Sequence, residues 1–227
     1  MNRFDVIICG GGIVGATAAC ALGQAGIQVA SIDAQPANTT TGSDSRDPRM
    51  YAITRASERI FRSLGAWDGM AARDVFAFRN MEVWDAGGSG VVRFDCAEVG
   101  EPCLGNIIEP GIIRAALLDR LQQLERVHRF SPARFQSLRI SDEQAEVVLE
   151  DGRTLAAKLV IAADGVHSPV RQALGIETRI HDYRQSSVVA LVRTEASHHE
   201  TAWQRFLPGG PLAFLPLRDG WSSIVWT

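Results

Sequence analysis

The sequence predicts an α/β fold that opens on a parallel strand-helix-strand unit and carries a β-rich insertion and tail. Three features predict it: a short apolar run broken by Gly10, Gly11 and Gly12 and followed by an alanine-rich stretch, an apolar strand ending in Ala163-Asp164-Gly165, and an alternating apolar-polar tail. The 227 residues, 46% hydrophobic and 22% charged, suffice for one large domain or two small ones and exclude disorder or a collagen-like repeat.

Phe4 to Cys9 is a β-branched strand, Ile13 to Ala25 a helix ended by Gly26, and Ile27 to Ile32 a second strand, a βαβ unit of the parallel kind. Ala37 to Asp47 is Thr, Ser, Asp, Asn and Gly without an apolar period, which predicts a loop. Ala52 to Leu64 has helical spacing and closes on Gly65, with Trp67 capping the contact. Met81 to Asp85 and Val91 to Phe94, separated by Gly87, Gly88 and Gly90, predict a hairpin. A second long helix starts at Pro110, with Ile112, Ile113, Ala116, Leu117, Leu121 and Leu124 as its buried stripe, and is a crossover candidate. Ala145 to Leu149 and Thr154 to Ala157 flank an Asp151-Gly152 turn and run into a buried strand from Leu159 to Ala163. Ser187 to Arg193 and Trp203 to Trp226 read as antiparallel sheet, ending inside a strand.

Charge and cysteine usage bound the function. A net charge of -3 offers no footprint for DNA, so nucleic acid is not an expected partner. Cys9, Cys20, Cys96 and Cys103 contain no Cys-x-x-Cys pair and read as free thiols of a reducing compartment. The three glycines break the apolar run from Val6 to Leu22 at its centre, against a signal or transmembrane helix, so a cytoplasmic chain without a span is expected.

Gly10-x-Gly12-x-x-Gly15 falls between the first strand and its helix. The first glycine permits a tight turn, the second lets a pyrophosphate approach the backbone, and Gly15 lets the helix pack closely, with its amino terminus facing the phosphates. Asp33 ends the second strand, where a carboxylate accepts hydrogen bonds from a ribose diol and repels a 2′-phosphate. The pattern is Rossmann-like and predicts dinucleotide binding, but FAD and NAD share the adenosine diphosphate it reads.

The stretch Leu159-Val160-Ile161-Ala162-Ala163-Asp164-Gly165-Val166-His167-Ser168-Pro169-Val170-Arg171 resembles the Asp-Gly motif of FAD-dependent aromatic hydroxylases. Further segments narrow the resemblance to the FAD hydroxylases of ubiquinone biosynthesis: Asp47-Pro48-Arg49-Met50-Tyr51-Ala52-Ile53, Leu64-Gly65-Ala66-Trp67-Asp68, Met81-Glu82-Val83-Trp84-Asp85, and the tail from Trp203 through Phe214 to Trp226. The resemblance implies a Rossmann-like FAD-binding domain, over 1–75 and 104–180, with an antiparallel substrate-binding sheet, over 76–103 and 181–227. It assigns Gly10, Gly12, Gly15, Asp33, Arg49 and Asp164 to the cofactor site, and the segments around Trp84 and Phe214 to the sheet. It also implies FAD as cofactor and NADH or NADPH as reductant. The activity would be hydroxylation of a polyprenyl phenol or benzoquinol through a flavin C4a-hydroperoxide, with no side-chain nucleophile. A polyprenyl substrate implies docking at the inner membrane surface or within a biosynthetic assembly.

There are two departures. Pro110 stands where the family generally has an Asn that reaches the flavin, and no Gly-Asp dipeptide occurs, although the family uses a downstream one to hold the flavin. The expectation is therefore a chain truncated at its carboxyl terminus that binds FAD poorly and hydroxylates nothing by itself. A non-catalytic lipid-binding or carrier module and an NAD-dependent dehydrogenase are the alternatives; the second leaves Asp164-Gly165 unexplained. His167 reads as a surface loop residue and His198-His199 as an exposed turn rather than a metal site. Arg46 and Arg49 either meet phosphates or pair with Asp44 or Asp47, the resemblance favouring Arg49. Trp203, Phe206, Phe214 and Trp226 could line an apolar substrate cavity, but alternating aromatics in a sheet read first as core. A Ser-His-Asp hydrolase is disfavoured, since no Gly-x-Ser-x-Gly occurs and Pro169 follows Ser168.

Overall fold

The computed structural model of the protein describes residues 2–36 and 47–227. The expected loop from Ala37 to Asp47, Asp47 excepted, lies outside the described residues, as does Arg46. In chain order the elements are β1 (Asn2–Cys9), α1 (Ile13–Gln24), β2 (Val29–Ile32), β3 (Tyr51–Thr54), α2 (Arg55–Ser63), α3 (Trp67–Ala71), β4 (Phe76–Phe78), β5 (Asn80–Asp85), β6 (Val91–Asp95) and β7 (Gly105–Ile108). There follow α4 (Pro110–Gln122), β8 (Val127–Phe130), β9 (Phe135–Ile140), β10 (Ala145–Leu149), β11 (Thr154–Ala162), α5 (Pro169–Ala173), β12 (Val188–Arg193), β13 (Thr201–Leu207), β14 (Gly210–Pro216) and β15 (Trp221–Trp226).

These elements form two compact units: Met1–Thr41, Ser63–Gly69 and Ile113–Ile180 in the first, Gly42–Arg62, Met70–Ile112 and His181–Thr227 in the second. The segments 42–62, 70–75 and 104–112 thus group with the second unit, a division at other points than the expected domain bounds. The first unit holds a six-stranded sheet of order β8-β2-β1-β11-β10-β9. Its first four strands are parallel, and β11-β10-β9 is antiparallel. β1-α1-β2 is the expected parallel unit, its two strands adjacent with Val6 opposite Val29 and Cys9 opposite Ile32. Ile7, Cys9, Ala30, Ile32, Val147, Leu149, Leu155, Ala157 and Val170 form a buried cluster over the sheet, and burial of such apolar area is what holds a domain of this size together.

The second unit holds a six-stranded sheet, β12-β15-β14-β13-β5-β6, and a three-stranded one, β3-β7-β4. The β5-β6 hairpin and the antiparallel tail follow the sequence pattern, with one difference: β13 pairs with β5 in parallel. β3 is a correction, because residues 52–54 are strand, paired with Gly105 to Ile107, and the helix starts only at Arg55. The β-branched Ile53 and Thr54 supply that pairing, which a helical count over Ala52 to Leu64 overlooks. α4 is also corrected as a crossover, since it leads from β7 in one sheet to β8 in another. Finally, β11 is buried only at Leu155 to Ala157, while Leu159 is 52% exposed. β10 stops pairing at Ala157, so the remainder of β11 has β1 as its described neighbour on one edge alone. Among the described residues no helix is long and apolar enough to cross a membrane.

Candidate functional site

The first unit brings the glycine loop and the Asp-Gly motif together through strand register. β1 and β11 run parallel with Cys9 opposite Ala162, and the Ala163 N–H donates to Cys9 O at 2.7 Å just beyond the paired ends. Gly10 turns the chain there at φ +113°, where a Cβ would stand 2.1 Å from Ala163 O; only glycine allows the two loops this approach. A Cβ on Gly15 would lie 1.8 Å from Gly10 O, so the third glycine of the fingerprint seats α1 against the turn. Gly12 serves a different purpose. It is the amino-terminal cap of α1, has no side-chain cap hydrogen bond, and a Cβ there would meet nothing within 4 Å. The mouth of α1 therefore presents backbone donors and the positive end of its dipole to open space.

Asp33, past the end of β2, is pinned at its backbone by Asp33 N–H to Phe130 O (2.9 Å) and Ala133 N–H to Asp33 O (2.8 Å). Its carboxylate accepts from Arg114 Nη2 at Oδ2 (2.8 Å) and from the Gln35 N–H at Oδ1 (3.0 Å). It lies flat against the glycine loop: a Cβ on Gly11 would stand 2.2 Å from Oδ2 and 2.5 Å from the Asp33 Cβ. Gly11 therefore lines the cleft and Arg114 holds the Asp33 carboxylate, although the sequence motifs name neither. The run of three glycines was the available signal for Gly11; Arg114 lies on α4 with no motif to mark it. Arg129 on β8 completes the group. Burial and the Arg114 charge lower its pKa, Asp33 opposes this, and its Nη2 is buried without a partner among the described residues.

Asp164 follows β11, and its Oδ2 accepts from the Val170 N–H at 3.1 Å, which ties the motif to the start of α5. The Ser168 hydroxyl accepts from the Arg171 N–H at 3.0 Å as the cap of that helix, a structural role that Pro169 supports at the first helical position. Gly10, Gly12, Asp33, Asp164 and Gly165 share one cleft of about 490 Å³, with Arg134 and His167 also lining it. That volume is of the size of a ligand cleft. The cleft fits the adenosine diphosphate part of FAD on three grounds: glycines packed where no Cβ fits, an uncapped helix mouth beside Gly12 for phosphate, and a carboxylate already turned towards the loop.

Arg49 is in the second unit, where its side chain, 72% exposed, pairs with Asp47 through Nη2 to Oδ2 at 2.6 Å. The guanidinium's hydrogen bond to Asp47 holds that carboxyl below the ordinary range. His198 Nε2 donates to Leu217 O at 2.8 Å and its ring meets Phe76 edge-on, so it is a structural group, while His199 is exposed. No cluster among the described residues has the composition to hold a metal ion. All four cysteines are free and buried, and burial, then the charge of Asp164, pushes the Cys9 thiol up to about 12. Trp203 packs edge-on against Trp84 at 6.1 Å, whereas Phe206 and Trp226 are exposed.

Comparison with known proteins agrees with this geometry. The sequence pattern of the FAD binding domain family matches residues 3–226. The 3-demethoxyubiquinol 3-hydroxylase of Escherichia coli is 38% identical over 223 residues, covering 98% of this chain and 56% of that protein. The human mitochondrial ubiquinone biosynthesis monooxygenase COQ6 is 37% identical over 239 residues, covering 99% of this chain and 51% of that protein. The chain thus spans about half the length of the curated relatives it matches. Among solved structures, Pseudomonas aeruginosa PqsL in complex with 2-aminobenzoylacetate superposes with a TM-score of 0.80 at 23% identity, over 99% of this chain and 60% of that one. The p-nitrophenol 4-monooxygenase PnpA of Pseudomonas putida superposes with a TM-score of 0.79 at 19% identity, over 100% of this chain and 58% of that one. At these identities the likeness establishes the fold.

Proposed function

Because this chain belongs to the FAD binding domain family, we propose that it holds the adenosine diphosphate of FAD in the cleft of the first unit. We infer further that the whole protein hydroxylates the aromatic ring of a polyprenyl phenol or benzoquinol in ubiquinone biosynthesis. The observation that supports the first part is the meeting of Gly10 with Ala163 and Asp164, by which the glycine turn and the Asp-Gly motif line one cleft. The second part is supported by the ubiquinone hydroxylases among the relatives, which match nearly the full length of this chain.

In this reading Gly10 and Gly15 hold the turn, Gly12 leaves the backbone open to phosphate, Asp33 accepts from the ribose hydroxyls, and Asp164 fixes the facing loop through Val170. Arg49 joins the cofactor set on the family resemblance. Bound FAD, reduced by NADH or NADPH, supplies the oxygen chemistry, so the chain's residues bind, orient and exclude water rather than attack the substrate. The domain assignment follows the same resemblance: 1–75 and 104–180 for the cofactor, 76–103 and 181–227 for the substrate. A polyprenyl tail partitions into lipid, which supports peripheral contact of the whole protein with the inner membrane or a biosynthetic assembly.

The test has two stages. Calorimetric titration of this chain with ADP should give saturable binding that Gly12→Ala weakens. The whole protein, given FAD, NADPH and a short-chain prenyl phenol under oxygen, should yield a product heavier by one oxygen atom. A whole protein that holds FAD and consumes NADPH yet leaves every prenyl phenol and quinol unchanged would overturn the substrate assignment.

A further inference from the structure

The geometry points to Arg114 as a positioning residue that sets the Asp33 carboxylate for recognition of a vicinal ribose diol, an inference that rests on the ADP-binding reading of the cleft. Asp33 has its backbone fixed on both sides by hydrogen bonds to β8 and the segment after it, so only its two side-chain torsions remain free. One oxygen is held locally by the Gln35 N–H. The other is held by Arg114 Nη2, the long-range side-chain contact on this carboxylate among the described residues. With one hydrogen bond accepted at each oxygen, each keeps a lone pair, which matches the two hydroxyls of a ribose.

The surroundings explain why this contact stays formed. The Asp33 side chain is 13% exposed and that of Arg114 26%, so water competes weakly for either. Arg129 repels Arg114 and attracts Asp33, which places two cations and one anion in a single patch and leaves Arg114 nearest the carboxylate. Gly11 closes the remaining side, because any Cβ there would occupy the space of the carboxylate. Arg114 is not among the residues lining the cleft, so it acts through Asp33 and not on the ligand.

The experiment is a cycle between protein and ligand. This chain and its Arg114→Gln, Arg114→Lys and Asp33→Asn variants are titrated calorimetrically with ADP and with 2′,3′-dideoxy-ADP, and thermal unfolding midpoints are recorded for each. Wild type should prefer ADP about tenfold or more, the order expected of hydrogen bonds to a charged acceptor. Arg114→Gln should cut that preference to about twofold or less while leaving the dideoxy affinity within about twofold, and Arg114→Lys should restore part of it. Equal losses for both ligands, or an undiminished preference in Arg114→Gln, would overturn the positioning role while the diol reading stands. A wild type that binds both ligands alike, or Asp33→Asn with full preference, would overturn the diol reading and this inference with it.

Discussion

Replacing Gly11 with alanine should destabilise the fold, and replacing Gly12 should not, although the two are neighbours in one loop. A Cβ at position 11 would stand 2.2 Å from Asp33 Oδ2, 2.4 Å from its Cγ and 2.5 Å from its Cβ. Rotating the carboxylate away relieves only the first two contacts; the third is fixed by the backbone, which itself is hydrogen-bonded to Phe130 and Ala133. The chain must therefore shift by about an ångström, an overpacking cost of about 1–3 kcal/mol, and the ion pair to Arg114 is strained or lost with it. We expect Gly11→Ala to lower unfolding free energy by about 3 kcal/mol in urea titration. Gly12→Ala adds a Cβ that meets nothing; alanine is the poorer cap but leaves a less flexible unfolded chain, and the two effects offset to a net change below ~1 kcal/mol. The same Cβ projects into the space before the helix mouth, so ADP affinity should fall by about tenfold, or ~1.4 kcal/mol. If Gly11→Ala unfolds at the wild-type urea concentration, or Gly12→Ala binds ADP normally, the packing argument for this loop is wrong.

Three further outcomes are expected. Glu58, whose side chain is 3% exposed, pairs with Arg62 at 2.8 Å and with Arg55, and also accepts from Asn106 Nδ2 at 2.8 Å. Burial acts to raise its pKa, but the hydrogen bonds and charges of Arg62 and Arg55 prevail and lower it, so its stabilisation exists above the unfolded carboxyl pKa and is lost as pH falls through the folded one. Glu58→Gln should cost about 2 kcal/mol at neutral pH, and its stability should lose less than wild type on acidification. Cys9 and Cys20 are raised to about 12 and about 11, in both cases first by burial, so they favour the fold fully below about 9 and progressively less as pH rises through those values. Urea titrations should show alkaline destabilisation above pH 9 that Cys9→Ala and Cys20→Ala each reduce, and native protein at pH 8 should resist thiol reagents. Arg129→Met removes a buried donor that has no partner among the described residues and should be neutral or stabilising by about 1 kcal/mol; a clear loss of stability would show that the guanidinium is satisfied.

The βαβ opening was legible because periodicity, glycine spacing and Asp33 all speak within one short stretch. The β5-β6 hairpin and the tail were legible for the same local reason, alternation bounded by glycine and proline. What was hidden depends on partners far along the chain. Ala52 to Thr54 looks helical in isolation and becomes strand because Gly105 to Ile107 offers it a ladder. Val127 to Phe130 carries His128 and Arg129, so it shows no apolar run, yet it pairs in parallel with β2 along its whole length. The site divided likewise. Gly10, Gly12, Gly15, Asp33 and Asp164 were named from motifs; the structure places Gly10, Gly12, Asp33 and Asp164 on one cleft and packs Gly15 against the Gly10 turn. Arg114 could not be named, since a salt bridge between α4 and the segment after β2 leaves no local pattern.

That salt bridge changes how the Asp33 fingerprint should be read. From sequence alone, an acidic residue at the end of the second strand is a free anion that repels a 2′-phosphate. Here Arg114 neutralises it at 2.8 Å and Arg129 adds a second cation to the same patch, so bare charge repulsion is largely cancelled. Any preference for a ribose diol must then come from directional hydrogen bonding by an oriented carboxylate, a short-range effect, rather than from its field. The two accounts separate with salt: a field weakens as the Debye length shrinks from about 10 Å at 0.1 M to about 3 Å at 1 M, whereas hydrogen-bond geometry does not. The ratio of ADP to 2′-phospho-ADP affinity should therefore hold or rise over that range in wild type, where two cations and one anion leave no net repulsion for salt to screen, and should be flat in Arg114→Gln, where Asp33 and Arg129 balance. A wild-type ratio that collapses in 1 M salt would return Asp33 to the role of a bare charge.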